Sequence, residues 1–169
     1  MKSNITFIAL NKSLKKEIAK NLANKLEMFY IDINEFIQYQ LQNINDVISI
    51  NGLEYYNEEE TRIVKTISTY ENSLITLNLD TFFNANNYKY LKSNSLFIYL
   101  KVDFETYKTI LDNENTSKSK TEKSLNKKVF NERDEILNKV CDIVISYTEK
   151  SNLLNEIINS IKVFYKEVL

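Results

Sequence analysis

Apolar positions along this chain follow two alternating rhythms. Short, dense apolar runs stand at 4–10 (NITFIAL), 29–33 (FYIDI), 73–79 (SLITLNL), 95–102 (SLFIYLKV) and 141–147 (CDIVISY). Each has strand length and polar flanks, and each predicts a β-strand. Between them the period lengthens. Leu14, Ile18, Leu22 and Leu26 recur at every fourth position and predict a helix with one apolar stripe. Residues 34–42 and 44–50 read as short helices, closed by Gly52 as a left-handed cap, and 53–70 as a longer helix. Further helices are predicted around 83–92, from Asp103, over 127–138, and from Ser151 as N-cap to the C-terminal end. The polar segment 112–123 (DNENTSKSKTEK) has no period and predicts a mobile loop. Strands that alternate with helices imply one α/β domain, its parallel sheet covered on both faces. No internal repeat or linker interrupts it.

Composition narrows the chemistry. The 169 residues suit a single domain, and 43% hydrophobic with 27% charged residues is a globular balance. A net charge of −1 gives no general attraction to nucleic acid or anionic membrane. No apolar run approaches the ~18–20 residues of a membrane helix, and no signal peptide precedes the first strand. The single cysteine, Cys141, cannot form an internal disulfide, so the expected location is the reducing cytoplasm. There is no histidine, which leaves proton chemistry to Asp, Glu, Lys, Tyr or water. There is one glycine and no proline.

That scarcity of glycine matters at 7–20, FIALNKSLKKEIAK. An apolar run enters a polar turn and leaves as a lysine-rich helix. This is the layout of a phosphate-binding loop without its glycines. The segment also reads as an ordinary strand–turn–helix in which Ser13 caps a helix starting at Leu14 and Lys15 is solvated. Lys12, Lys15 and Lys16 then crowd the positive helix end, each unfavourable by ~0.3–1 kcal/mol, and would welcome an anion.

The loop, FYIDIN after the first helix, NGLEYYNEEE, FIYLKVDFETYKTIL, VFNERDEIL and the closing CDIVI keep an order and spacing that resemble the shikimate kinases. These are small P-loop phosphotransferases of the nucleoside-monophosphate-kinase type, and the similarity runs along nearly the whole chain. It implies a three-layer sandwich with a five-stranded parallel sheet of order 2-3-1-4-5. It further implies a substrate-binding helical insertion at about 33–70 and a lid-like loop at 112–124. The family pattern G-x-x-x-x-G-K-[ST] falls on Ala9, Leu14, Lys15 and Lys16, with another usual glycine at Lys12. The lysine is kept. Leu14 puts an isobutyl group where backbone should meet phosphate, and Lys16 sets a cation where a hydroxyl should ligate Mg²⁺.

The substrate side diverges in the same manner. Asp32 and Asn34 fall on the D-x-D positions, where the first acid is the catalytic candidate and the second contacts substrate hydroxyls. Asp32 also reads as a cap for the helix that follows it. Asn57 replaces a substrate-binding arginine, while Glu60 matches the family. Asn78, Leu79 and Asp80 replace a glycine triplet, and Asp80 would repel a substrate carboxylate. The lid arginine is missing, with Lys118 and Lys120 as candidate mobile charges. Arg133 matches the family's carboxylate-binding arginine, against an alternative reading as a helix ion pair. Thus Lys15 and Lys12 are candidate phosphate contacts, Asn34 and Arg133 candidate substrate contacts, and Asp32 the catalytic residue of an active enzyme. No metal ligand is assigned.

The expected function is a degenerate shikimate-kinase-like protein without ordinary ATP-dependent shikimate phosphorylation. It would act by binding or assembly with an unidentified protein partner or a small anionic ligand. The alternatives are a divergent active kinase using ATP and Mg²⁺, and a non-catalytic anion or nucleotide sensor.

Overall fold

The structure, a computed structural model, describes residues 2–117, 126–147 and 152–167. Five strands, β1 (Asn4–Ala9), β2 (Phe29–Asp32), β3 (Ser73–Thr76), β4 (Ser95–Lys101) and β5 (Ile143–Ser146), form one sheet of order β2-β3-β1-β4-β5. All its pairings are parallel. β1 is central, as the sequence predicts. It pairs with β3 through Ile5↔Leu74 and with β4 along its whole length, from Asn4↔Ser95 to Ala9↔Leu100.

The two-residue period of a strand sends alternate side chains to opposite faces. Ile5, Phe7 and Ala9 join Leu74, Leu96, Ile98 and Leu100 on one face. There α1 (Lys12–Lys25) and α8 (Leu153–Glu167) cover them with Ile18, Leu22, Ile157 and Ile161. Ile8, Ile75, Phe97 and Tyr99 point to the other face. That face is covered by α2 (Ile33–Leu41), α3 (Ile44–Ser68), α4 (Leu79–Phe83), α5 (Ala85–Asn94), α6 (Phe104–Ser117) and α7 (Lys127–Val140). Burial on both faces is why β1, β3 and β4 read as dense apolar runs rather than as alternation, while the edge strands β2 and β5 are partly exposed. Among the described residues no helix is long and apolar enough to cross a membrane.

Several local expectations are corrected. Helix α1 starts at Lys12 with Asn11, not Ser13, as its N-cap. The helix expected near 83–92 is α5, and the short helix α4 precedes it unpredicted, over the end of the apolar run 73–79. Asn84 is extended between α4 and α5, and its side chain caps the backbone N–H groups of Asn86 and Asn87. The helices expected at 44–50 and 53–70 are both present as the two arms of α3, divided at Gly52 by non-helical backbone; only the form of that break differs. Gly52 has the expected positive φ of 88°, but its ψ of 165° is not that of a left-handed cap. It is an extended conformation essentially reserved for glycine. The loop expected at 112–123 starts as helix, because α6 continues to Ser117. Helix propagation adds one hydrogen bond per residue beyond the turn anchored by buried Leu111. The rest of that segment, Lys118 and Lys120 included, lies outside the described residues, as does the Ser151 cap.

One carboxylate ties the β4–β5 edge to its surroundings. Asp142 accepts hydrogen bonds from Lys92 Nζ at 2.7 Å, Phe97 N at 2.9 Å and Lys2 Nζ at 3.2 Å. Burial pushes its pKa up, but the Lys92 hydrogen bond, the Phe97 N–H and the two ammonium charges outweigh this and hold it below the ordinary aspartate value. A depressed folded pKa gives stability that is present above the unfolded value of about 3.9 and is lost as pH falls through the folded value. Asp142→Asn is therefore expected to cost about 1 kcal/mol at pH 7, after allowing for solvent screening of the partly open pairs. The gap to the parent should narrow as pH falls below the unfolded aspartate value and through the lower folded one. Urea titrations of both proteins at neutral pH and across that acidic range measure it.

Candidate functional site

The strand order reverses on either side of β1, which places a crevice at the C-terminal ends of β1 and β3. Only Leu10 and Asn11 separate β1 from α1. Asn11 is 2% exposed, and its Oδ1 accepts from Leu14 N at 2.8 Å. Its carbonyl accepts from Lys15 N at 3.1 Å. Two backbone N–H groups that could face an anion are thus turned into the helix's own cap and first turn. The Nδ2 of Asn11 is buried and makes no hydrogen bond.

The lysines have separate fates. Lys15 is buried, and its Nζ donates to the carbonyl of Leu77, one residue beyond β3, at 2.5 Å. Lys16 pairs with Glu35 of α2, and this hydrogen bond pushes its pKa above the ordinary lysine value. Lys12 is exposed at the first position of α1.

Asp32 ends β2 and caps α2, its Oδ1 accepting from Asn34 N at 3.0 Å and Glu35 N at 3.3 Å. Tyr30 OH lies 3.0 Å from Thr76 Oγ1 and 3.5 Å from Asp32 Oδ2. Burial pushes the Tyr30 phenol up to about 12, so it stays protonated at neutral pH. One turn on, Asn34 Oδ1 accepts from Asn78 N at 2.7 Å and fastens α2 to the segment after β3.

Beside that bond opens a cavity of about 570 Å³, lined by Asn34, Tyr56, Asn57, Glu60, Asn78, Asp80, Thr81, Phe83 and Asn84. Glu60, 7% exposed, anchors its wall. It accepts from Thr81 Oγ1 at 2.9 Å and from Tyr56 OH and Asn87 Nδ2, each at 3.3 Å. Burial and then the Glu60 charge push the Tyr56 phenol up to about 12, which keeps it a donor. At the rim, Arg133 of α7 donates to Asp80 Oδ1 at 2.9 Å, and its guanidinium carbon lies 5.9 Å from the Phe83 ring centre. Arg133 therefore pairs across elements rather than within its own helix.

The fold thus gathers Asn34, Asn57, Glu60, Asp80 and Arg133 from four helices around one cavity. Lys15 lies outside this group and donates to the Leu77 carbonyl. Sequence reasoning missed Asn11, Tyr56, Thr81 and Asn87. Hydrophobic periodicity carries no signal for buried polar residues, although Asn11 stands where a cap residue is expected.

A family model described as shikimate kinase matches residues 13–162 of the chain. A shikimate kinase of Sulfurihydrogenibium sp. (strain YO3AOP1) is 28% identical over 165 residues, covering 94% of this chain and 98% of its own. Another, from Dictyoglomus turgidum, is 27% identical over 115 residues, 67% of each chain. Among solved structures, shikimate kinase from Aquifex aeolicus vf5 superposes with a TM-score of 0.73 at 21% identity, covering 94% of this chain and 96% of its own. Shikimate kinase from Acinetobacter baumannii in complex with shikimate gives 0.70 at 17% identity, covering 95% and 93%. At these identities the structures speak for the fold.

The Asn34–Asn78 bond carries a stability prediction. Asn34→Ala leaves the part-buried Asn78 N–H without its acceptor and is expected to destabilise by about 1–3 kcal/mol. Asn34→Asp keeps the acceptor and should stay close to the parent. Urea unfolding of the three proteins distinguishes them.

Proposed function

Because the chain belongs to the shikimate kinase family, we propose that it is a degenerate member, without ordinary ATP-dependent shikimate phosphorylation, that acts by binding. The observation that carries this reading is the closed β1–α1 connection. A phosphate loop holds its anion on backbone N–H groups turned into one concavity. Here Asn11 and the first helical turn engage the N–H groups of Leu14 and Lys15. Reopening the turn forfeits the cap, about 0.5–2 kcal/mol. It must also place residues other than glycine in dihedrals that glycine supplies freely.

The residues present do not fit Mg²⁺-ATP in the family's usual pose. At the position of the Mg²⁺-ligating hydroxyl stands Lys16, an ammonium paired with Glu35. Lys15 is directed to the Leu77 carbonyl. On the substrate side, Asp80 occupies Arg133. Removing one preorganised electrostatic contact commonly costs ~10²–10³ in rate, and several are altered together. The segment 33–70, comprising α2 and α3, serves in this reading as the binding insertion that forms one wall of the cavity. Asn34 is the hydroxyl-contacting residue there, and Asp32 is a helix cap.

A second reading, a non-catalytic anion sensor at the start of α1, is favoured by the orphaned Asn11 Nδ2, a buried donor beside the lysines. Lys12 and Lys15 would be its phosphate contacts. Saturable binding of inorganic phosphate, lost in Asn11→Ala and Lys12→Ala, would select it.

Coupled assay of ADP release with shikimate, ATP and Mg²⁺ should show no turnover above background. Leu14→Gly combined with Lys16→Ser should strengthen phosphate binding before any catalysis returns, because the substrate side stays altered. Robust turnover by the parent, abolished in Asp32→Ala and Arg133→Ala, would instead establish a divergent active kinase.

A further inference from the structure

The cavity wall is built from amides, hydroxyls and acids. Four asparagines line it, at 34, 57, 78 and 84, with Tyr56, Thr81 and Phe83. Each amide offers both donor and acceptor capacity. This suits hydroxyl groups, which donate and accept, over ions of either sign. The charged lining residues are both acidic, Glu60 and Asp80, and the described residues contribute no lysine or arginine to the lining. Glu60 accepts from three neutral donors, Tyr56, Thr81 and Asn87, and not from a cation of the described lining.

Arg133, the cation seen at the rim, is committed. Asp80 is 87% exposed at its side chain and reaches Arg133, 26% exposed, from the cavity side. A carboxylate of the chain itself thus sits on the guanidinium that would otherwise receive a carboxylate from a ligand. An incoming carboxylate must displace Asp80 and then remain beside it and Glu60. Both steps oppose binding, since a like charge nearby disfavours the ionised group. An ammonium in the same place gains from both acids.

We propose that this cavity binds a small polyhydroxylated molecule without a carboxylate, cationic in preference to uncharged, with Asp80 as the residue that excludes carboxylates. The inference rests on the cavity being the ligand site of the proposed function, and it is independent of whether phosphate is transferred.

Three probes that share one ring test it: shikimate, its carboxamide, and the analogue in which aminomethyl replaces the carboxylate. Calorimetry at low ionic strength should rank the amine tightest, the carboxamide next, and shikimate weakest by at least about tenfold, a 1.4 kcal/mol difference. The amine's advantage should shrink at high salt. Asp80→Asn, at an exposed position where folding is preserved, should release Arg133 and bring shikimate to parity or better while weakening the amine. Shikimate binding as tightly as the carboxamide in the parent would overturn the proposal, as would no binding of any probe at millimolar concentration. ADP release with the same three probes reads catalysis separately. Turnover with the amine or carboxamide would overturn the non-catalytic reading and leave the ligand class standing.

Discussion

The double-sided burial of β1 is the constraint on which the rest of the structure hangs. Its six residues are all buried, between β3 on one side and β4 on the other. A strand in that position needs apolar cover above and below, and only helices returning over both faces supply it. The crossover from β1 therefore runs through α1 to β2 on one flank, and the later crossovers build the other flank. Where the neighbours of β1 diverge at its C-terminal end, the covering helices cannot close the crevice. The polar residues gather there, at Asn11, Lys15, Asn34 and Asn78.

Having been gathered, those groups satisfy one another. Asn11 caps α1, Asp32 caps α2, Asn34 holds Asn78, Lys15 holds the Leu77 carbonyl, and Arg133 holds Asp80. A buried polar group left without a partner costs about 1–3 kcal/mol, so groups gathered at the strand ends are held by one another or by the backbone. Such pairing has a consequence for function. Every group committed to a neighbour must be released before it can serve a ligand, and the exposed pairs release most readily. Asp80 and Lys16 lie at that exposed end, while Lys15 and Asn11 lie at the buried end. The phosphate side is thus closed more firmly than the cavity. The cavity keeps an open volume lined by amides, of which Asn34 and Asn84 also hold backbone N–H groups through their Oδ1 atoms.

Much of the architecture was legible in the residues. The dense apolar runs located all five strands, most clearly β1, β3 and β4, whose residues are buried almost throughout. The four-residue recurrence from Leu14 to Leu26 located α1, and the spacing of short motifs along the chain carried the family. Boundaries were less legible. Ser13 and Asn11 are both competent caps, and the helix start was settled by where β1 ends and by the reach of Lys15 to Leu77. The helix predicted near 83–92 starts at Ala85 because the Asn84 amide takes the N–H groups of Asn86 and Asn87 as its cap.

What the sequence determined by itself was the layering and the identity of the residues at each strand end, since these follow from local period and from matched spacing. Only the tertiary structure decided how those residues are used. Arg133 and Asp80 are 53 positions apart, and nothing local to either announces the other. The same holds for Asn34 with Asn78 and for Glu60 with Thr81 and Asn87. Hydrophobic burial is written in the chain as a repeating pattern, because every turn or strand pair must obey it. A polar contact is made once, between two side chains that meet only after the core has packed, so its partner is fixed by the fold.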